Sequence, residues 1–139
     1  MKNKAIVGVH VETAAQAATL LYDAAKIAGK QEGFFVLPLD SGGKVLAEPT
    51  MVSLGYREGI AAVELKEVFK AAFKVGADAI IVAHNHPSGV LKPSKADLHL
   101  TEELKSRAEW LGLEFIDHII LGSSDSANGI DFVSLAEVM

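Results

Sequence analysis

The sequence predicts an α/β domain with a mixed central sheet flanked by helices. Three observations lead there. Apolar extended stretches alternate with stretches of helical periodicity. The run Ala79-Ile80-Ile81-Val82-Ala83 has the continuous apolarity of a strand covered on both faces. And 139 residues, 50% of them hydrophobic, supply one sizeable core, with no repeat or linker to divide it.

A short strand is expected in Ala5–Val11. Thr13 and Gln16 then have the spacing of a capping box, Ala14–Ala28 is rich in helix formers, and Gly29 sits where a helix would stop. The first helix therefore covers about 14–28. Glu32–Asp40 is apolar and aromatic, Ser41-Gly42-Gly43-Lys44 reads as a turn, and Val45–Ser53 as a second extended stretch, which together make a hairpin. Pro38 lacks an amide donor and so belongs at an edge or bulge, and Pro49 constrains the partner strand in the same way. Within Glu64–Val75, Leu65, Val68, Phe69, Ala72 and Phe73 recur at helical spacing, and Gly76 ends that second helix. Ala79–Ala83 falls centrally in the sheet. A proline-punctuated loop leads to Ser94, which caps a third helix running to about Leu111. Leu113–Leu121 returns as a strand, and Ile130–Val138 is a frayed end. The order is β-α-β-β-α-β-α-β.

Thirteen Lys and Arg against 18 Asp and Glu give a net charge of -5, which argues against a broad phosphate-gripping surface while leaving room for a local basic patch. The chain has no cysteine, which excludes disulfide scaffolds, thiolate zinc fingers, iron–sulfur clusters and cysteine nucleophiles. Any metal must be held by His, Asp or Glu. Lys2 and Lys4 open the chain, but His10, Glu12, Thr13 and Gln16 interrupt its apolar run, so it makes a poor signal peptide. No apolar run approaches the ~20 residues that span a bilayer. A soluble cytoplasmic protein without membrane association is expected.

The chemistry concentrates in His84-Asn85-His86-Pro87-Ser88-Gly89, followed by Ser94-Lys95-Ala96-Asp97. On an extended backbone His84 and His86 point to the same side, about 6.6–6.8 Å apart along the chain, close enough to converge on one ion. With Asp97 as zero on a helix of ~100° per residue, Leu100 falls near 300°, Leu104 near 340°, Ala108 near 20° and Leu111 near 320°. Asp97 thus lies inside the apolar stripe, where a carboxylate is costly unless it is paired or bound to a metal. The same Asp97, with Ser94 three residues earlier, has capping-box spacing, so helix capping accounts for the pair as well.

His-X-His, seven residues, Ser, two residues, Asp resembles the signature of the JAMM (MPN+) zinc metallopeptidase domain. His-Asn-His-Pro-Ser-Gly with Pro93-Ser94 closely resembles its bacterial RadC-like branch. Gln31-Glu32, Leu37-Pro38-Leu39-Asp40, Lys66-Glu67-Val68-Phe69 and Asp117-His118-Ile119-Ile120-Leu121-Gly122 extend the resemblance over about residues 31–122. It implies a single layered domain, related in its sheet to the zinc deaminases. Their own chemistry is excluded because it needs Pro-Cys-X-X-Cys. It implies zinc on His84, His86 and Asp97 with water as fourth ligand, a general base whose counterpart is Glu32, and Ser94 assisting the water or the developing oxyanion. Spacing alone does not select Glu32 over Glu48, Glu58, Glu64 or Glu67. The implied substrate is a peptide or isopeptide amide of a peptide or protein.

The branch also carries a DNA-repair label, so a noncatalytic DNA-repair or mobile-element accessory module is the alternative. The negative charge and the expected lack of the branch's N-terminal helical region, which resembles helix-hairpin-helix modules, weigh against it. Val90 stands where the branch usually has an acidic or amide residue, and Gly55-Tyr56-Arg57-Glu58-Gly59 replaces its Gly-Thr-Leu stretch. Both loops are expected to border the substrate groove. His118, Asn85 and Ser88 are candidates for lining the cleft or orienting a ligand. For His118 a structural role satisfied by a backbone carbonyl is the competing reading. His99, opposite the apolar stripe, and His10, with no visible partner, are expected to be bystanders.

Overall fold

Side chains alternate in direction along a strand, so one sheet can build a core on each face. This chain does so. The structure, a computed structural model, describes residues 6–29, 31–54, 63–125 and 129–138. Helix α1 (Ala14–Ala25) starts at a complete Thr13/Gln16 capping box and ends in a single 3-10 turn, Lys26–Ala28. Strand β1 (Gly33–Leu39) and strand β2 (Thr50–Leu54) pair antiparallel. Helix α2 (Leu65–Lys74) leads into β3 (Ala79–Asn85), α3 (Lys95–Trp110), β4 (Glu114–Asp125), β5 (Gly129–Ser134) and the short α4 (Leu135–Val138).

The sheet order is β2-β1-β3-β4-β5, with β3 central, antiparallel to β1 and parallel to β4. Every residue of β3 is buried, as its continuous apolar run requires. Ala79, Ile81 and Ala83 meet α1 through Ala17, Ala18 and Leu21. Ile80 and Val82 meet Val68, Phe69 and Ala72 of α2 and Leu100, Leu104 and Ala108 of α3. The same alternation turns His84 toward the α2 and α3 layer and Asn85 toward α1.

Five expectations are corrected. The described part of Ala5–Val11 is no strand but a turn with one bridge, His10↔Lys44, because its backbone bonds go to the 43–45 turn, Gly8 N to Val45 O and Val11 N to Gly43 O, rather than to a strand of the sheet. In the expected hairpin, Val45 makes only a bridge to Leu39, and the partner strand begins at Thr50, directly after Pro49. Pro38 is on an interior strand. Its carbonyl accepts from Leu46 N at 3.0 Å, beyond the last β1–β2 pair, Val36↔Thr50, so its missing N–H faces that side and costs no ladder bond. Leu111 is exposed, because it caps α3 rather than continuing its stripe. The end thought to be frayed is β5 and α4, tied down where Asp117 accepts from the Ser134 hydroxyl and the Ala136 amide. No helix among the described residues is long and apolar enough to cross a membrane.

Leu104→Ala, which empties a fully buried position between α3 and the sheet, is expected to cost about 3 kcal/mol in urea denaturation followed by circular dichroism. Trp110→Ala, at a side chain 88% exposed, should stay within about 0.5 kcal/mol. Equal costs at the two positions would contradict the packing described.

Candidate metal centre

The site is built where β3 ends and α3 begins. His84 is fully buried, its ring stacked on Phe34 with centroids 6.1 Å apart and planes 12° from parallel. Its Nε2 faces His86 Nε2 at 2.9 Å, Asp97 Oδ1 at 3.3 Å and Glu32 Oε2 at 3.7 Å. His86 prolongs the strand by one residue, its amide donating to Leu121 O at 2.8 Å. The chain then turns back through Pro87-Ser88-Gly89, where Gly89 takes a φ of 82° and its amide donates to His86 O. The turn brings Val90 O to 2.6 Å from His86 Nδ1. A carbonyl can only accept, so His86 Nδ1 carries a proton and its Nε2 is the ring atom turned to the cluster. Ser88 serves this turn, its hydroxyl accepting from Val90 N at 3.3 Å, and is exposed.

Asp97 meets both of its sequence readings at once. It completes a capping box, with Ser94 N donating to Oδ2 at 2.8 Å and Asp97 N donating to Ser94 Oγ at 3.0 Å. It also faces the imidazoles, with Oδ1 3.3 Å from His84 Nε2 and Oδ2 3.7 Å from His86 Nε2. The carboxylate is only 2% exposed, and no Lys or Arg forms an ion pair with it among the described residues. Ser94 is exposed at the helix start, and its role in the cap leaves its hydroxyl proton available.

Glu32 is the glutamate brought to the pair, rather than Glu48, Glu64 or Glu67. Its Oε2 lies 3.7 Å from both Nε2 atoms, and its side chain is 22% exposed. Glu58, with the rest of Gly55–Gly59, lies outside the described residues. Asn85, pointing to the opposite side of β3, fixes the backbone on either side of Glu32. Its Oδ1 accepts from Gly33 N at 2.8 Å and its Nδ2 donates to Gln31 O at 2.9 Å. Gly33 has no room for a side chain there, since a Cβ would stand 2.9 Å from the Phe35 ring.

His118 sits opposite Val82 on β4 and is fully buried. Its partners are side chains, not the backbone carbonyl of the structural reading. His84 Nδ1 lies 2.9 Å from its Nε2, and Thr101 Oγ1 lies 2.7 Å from its Nδ1. Burial, followed by the neighbouring His118 and His86 rings, holds His84 well below the usual histidine pKa. Burial and the His86 ring lower His118 from 6.5 to about 3. Both rings are therefore neutral at pH 7. His99 is exposed, and His10 has a partner after all, Glu12 at 3.0 Å. Thr101 was not foreseen, although its position four residues after Asp97 places it on the same helix face.

The donor set suits a divalent cation. Ligand atoms of Glu32, His84 and His86 lie within 4.8 Å of one another, and Asp97 adds a second carboxylate against the same two nitrogens. Two ligands on one tetrahedral zinc stand about 3.3 Å apart, and the observed spacings of 2.9, 3.3 and 3.7 Å bracket that value. A shallow cavity of about 160 Å³ on the α1 side of the sheet, lined in part by Tyr22, Lys26, Asn85 and Pro87, touches His86 but none of Glu32, His84 and Asp97. A larger one of about 530 Å³ between α3 and β4 reaches Thr101 and His118 but none of Glu32, His84, His86 and Asp97.

The family model described as the RadC-like JAB domain matches residues 11–138, wider than the 31–122 that carry the resemblance in sequence. Curated relatives named UPF0758 protein include those of Finegoldia magna (40% identical over 95 residues), Staphylococcus haemolyticus (42% over 101) and Acidithiobacillus ferrooxidans (45% over 95). These alignments cover 68%, 73% and 68% of this chain and 42%, 43% and 42% of the respective relatives. The chain thus spans about two fifths of their length.

The buried histidines make the metal-free protein acid-sensitive. Their folded-state pKa values lie below the ordinary 6.5, so the unfolded chain binds protons first as pH falls. Their contribution is complete above about pH 6.5 and declines below it, that of His118 until pH reaches about 3. Denaturation of metal-free protein at pH 7 and pH 5 should show stability falling with pH, and falling less in His118→Gln. An equal fall in both proteins would remove His118 from the account.

Proposed function

This chain belongs to the RadC-like JAB domain family, and from that premise we propose that it is a zinc-dependent hydrolase acting on a peptide or isopeptide amide. The observation that carries the reading is the meeting of two imidazoles with the buried Asp97 carboxylate, next to a second, more exposed carboxylate. His84, His86 and Asp97 would hold the metal. Zinc bound there supplies Lewis acidity toward an amide carbonyl and makes a water acidic enough to ionise near pH 7.

The chain's own residues divide the remaining work. Glu32 takes a proton at Oε2 and returns it to the departing amine, a task suited to a carboxylate that reaches the cluster but keeps contact with solvent. The Asn85 clamp keeps Glu32 at that distance without competing for its oxygens. Ser94 turns its hydroxyl proton toward the oxyanion that develops on the carbonyl. Val90 is exposed at the turn adjoining His86.

Elemental analysis of zinc-loaded protein should find about one zinc per chain. His84→Ala and His86→Ala should each lose it while circular dichroism still reports a folded chain. Glu32→Gln should keep the metal and lose at least about a hundredfold in cleavage of a fluorogenic peptide and isopeptide panel. Folded, carefully loaded wild type without zinc would refute the proposal.

A further inference from the structure

The buried hydrogen bonds behind His84 form a directed chain, and its direction is set at Thr101. The Thr101 hydroxyl has one proton, and it donates that proton to Asp97 O at 2.9 Å, one turn back along α3. Its oxygen, 2.7 Å from His118 Nδ1, can therefore only accept there, which puts the His118 ring proton on Nδ1. His118 is fully buried, and with the ring proton on Nδ1 its Nε2 is the acceptor of the pair. That nitrogen lies 2.9 Å from His84 Nδ1 and accepts from it. The ring proton of His84 is then on Nδ1, and its Nε2 faces His86, Asp97 and Glu32. The rings are held in this arrangement: Phe34 stacks on His84 and meets His118 edge to face at 5.5 Å.

From this geometry we infer that Thr101 and His118 are positioning residues that lock His84 in its Nδ1–H form and so prepare Nε2 to bind a cation. The inference rests on the metal-centre reading and deepens it. Neither side chain touches the cluster's central atoms. They act through His84, as the Val90 carbonyl acts through His86. One anchor is a side-chain chain closing on the backbone of Asp97, so the helix that supplies a carboxylate to the site also dictates the tautomer of the imidazole opposite.

The test uses the full chain. In metal-free protein with ¹⁵N-labelled histidines at neutral pH, long-range ¹H–¹⁵N spectra should show His84 protonated at Nδ1 and bare at Nε2. Thr101→Val should mix the two tautomers, and Thr101→Ser should restore the wild-type pattern. With Zn²⁺ alone as probe, competition against a chromogenic chelator should show affinity reduced about 10–100-fold in His118→Phe, reduced less in Thr101→Val, and near wild type in Thr101→Ser. A proton on His84 Nε2 in wild type, or an unchanged tautomer in folded Thr101→Val, would overturn the inference. Should wild type bind no zinc, the metal reading falls, and the tautomer measurement still decides this one.

Discussion

The arrangement depends on one buried charge. Asp97 is 2% exposed, and taking a carboxylate out of water costs several kcal/mol unless something in the fold answers it. The Ser94 amide answers part, through a 2.8 Å hydrogen bond at the positive end of α3. The other oxygen, 3.3 Å from His84 Nε2, finds no proton if that nitrogen carries a lone pair. The capping box is complete, and the Asp97 oxygen nearer His84 is turned to the imidazole nitrogens. A cation held between Asp97 and the imidazoles would balance this charge, and the helix start cannot shift without breaking its own capping box.

Connectivity makes this meeting possible. β3 and β4 are parallel, so α3 must cross between them and begin near the end where β3 stops. The first turn of α3 therefore comes close to the last residues of β3, and Val82↔His118 pairing sets the β4 histidine behind them. The central strand carries no polar side chain until it reaches His84, because its earlier residues are covered on both faces. Polar chemistry is confined to the strand end, where covering layers give way to loops.

Much of this was legible in the residues, because the signals were local. The Thr13 and Ser94 caps, the helical stripe of α2 and the covered strand at Ala79–Ala83 each follow from spacing within one element, and the structure shows them. The placement of Asp97 on the buried face followed from helical angle alone. What stayed hidden needed tertiary information. Pro38 suggested an edge strand, yet β1 is interior, because a strand's neighbour can stop short and leave one position unpaired. Nothing local announces that Asp117 would tie down Ser134 and Ala136, so the last residues looked frayed. Glu32 could not be chosen among the glutamates by spacing, since its position depends on a contact with Asn85, 53 residues away in sequence.

That contact explains why three consecutive residues matter together. In an extended chain His84 and His86 share a side, and Asn85 must take the other. Its amide faces the start of β1, the neighbouring strand, and satisfies one backbone group on each side of Glu32. An amide is well suited to this because it can accept from Gly33 N and donate to Gln31 O at once, whereas a carboxylate could not donate and a hydroxyl could not span both. Gly33 brings the strand start in close enough for the bonds to form. The segment that supplies both imidazoles thus also holds the glutamate carboxylate at 3.7 Å from each of them. Distances between the imidazoles and the Glu32 carboxylate are set by one strand end rather than by the meeting of flexible loops, the kind of rigid support that the proposed proton transfer would require.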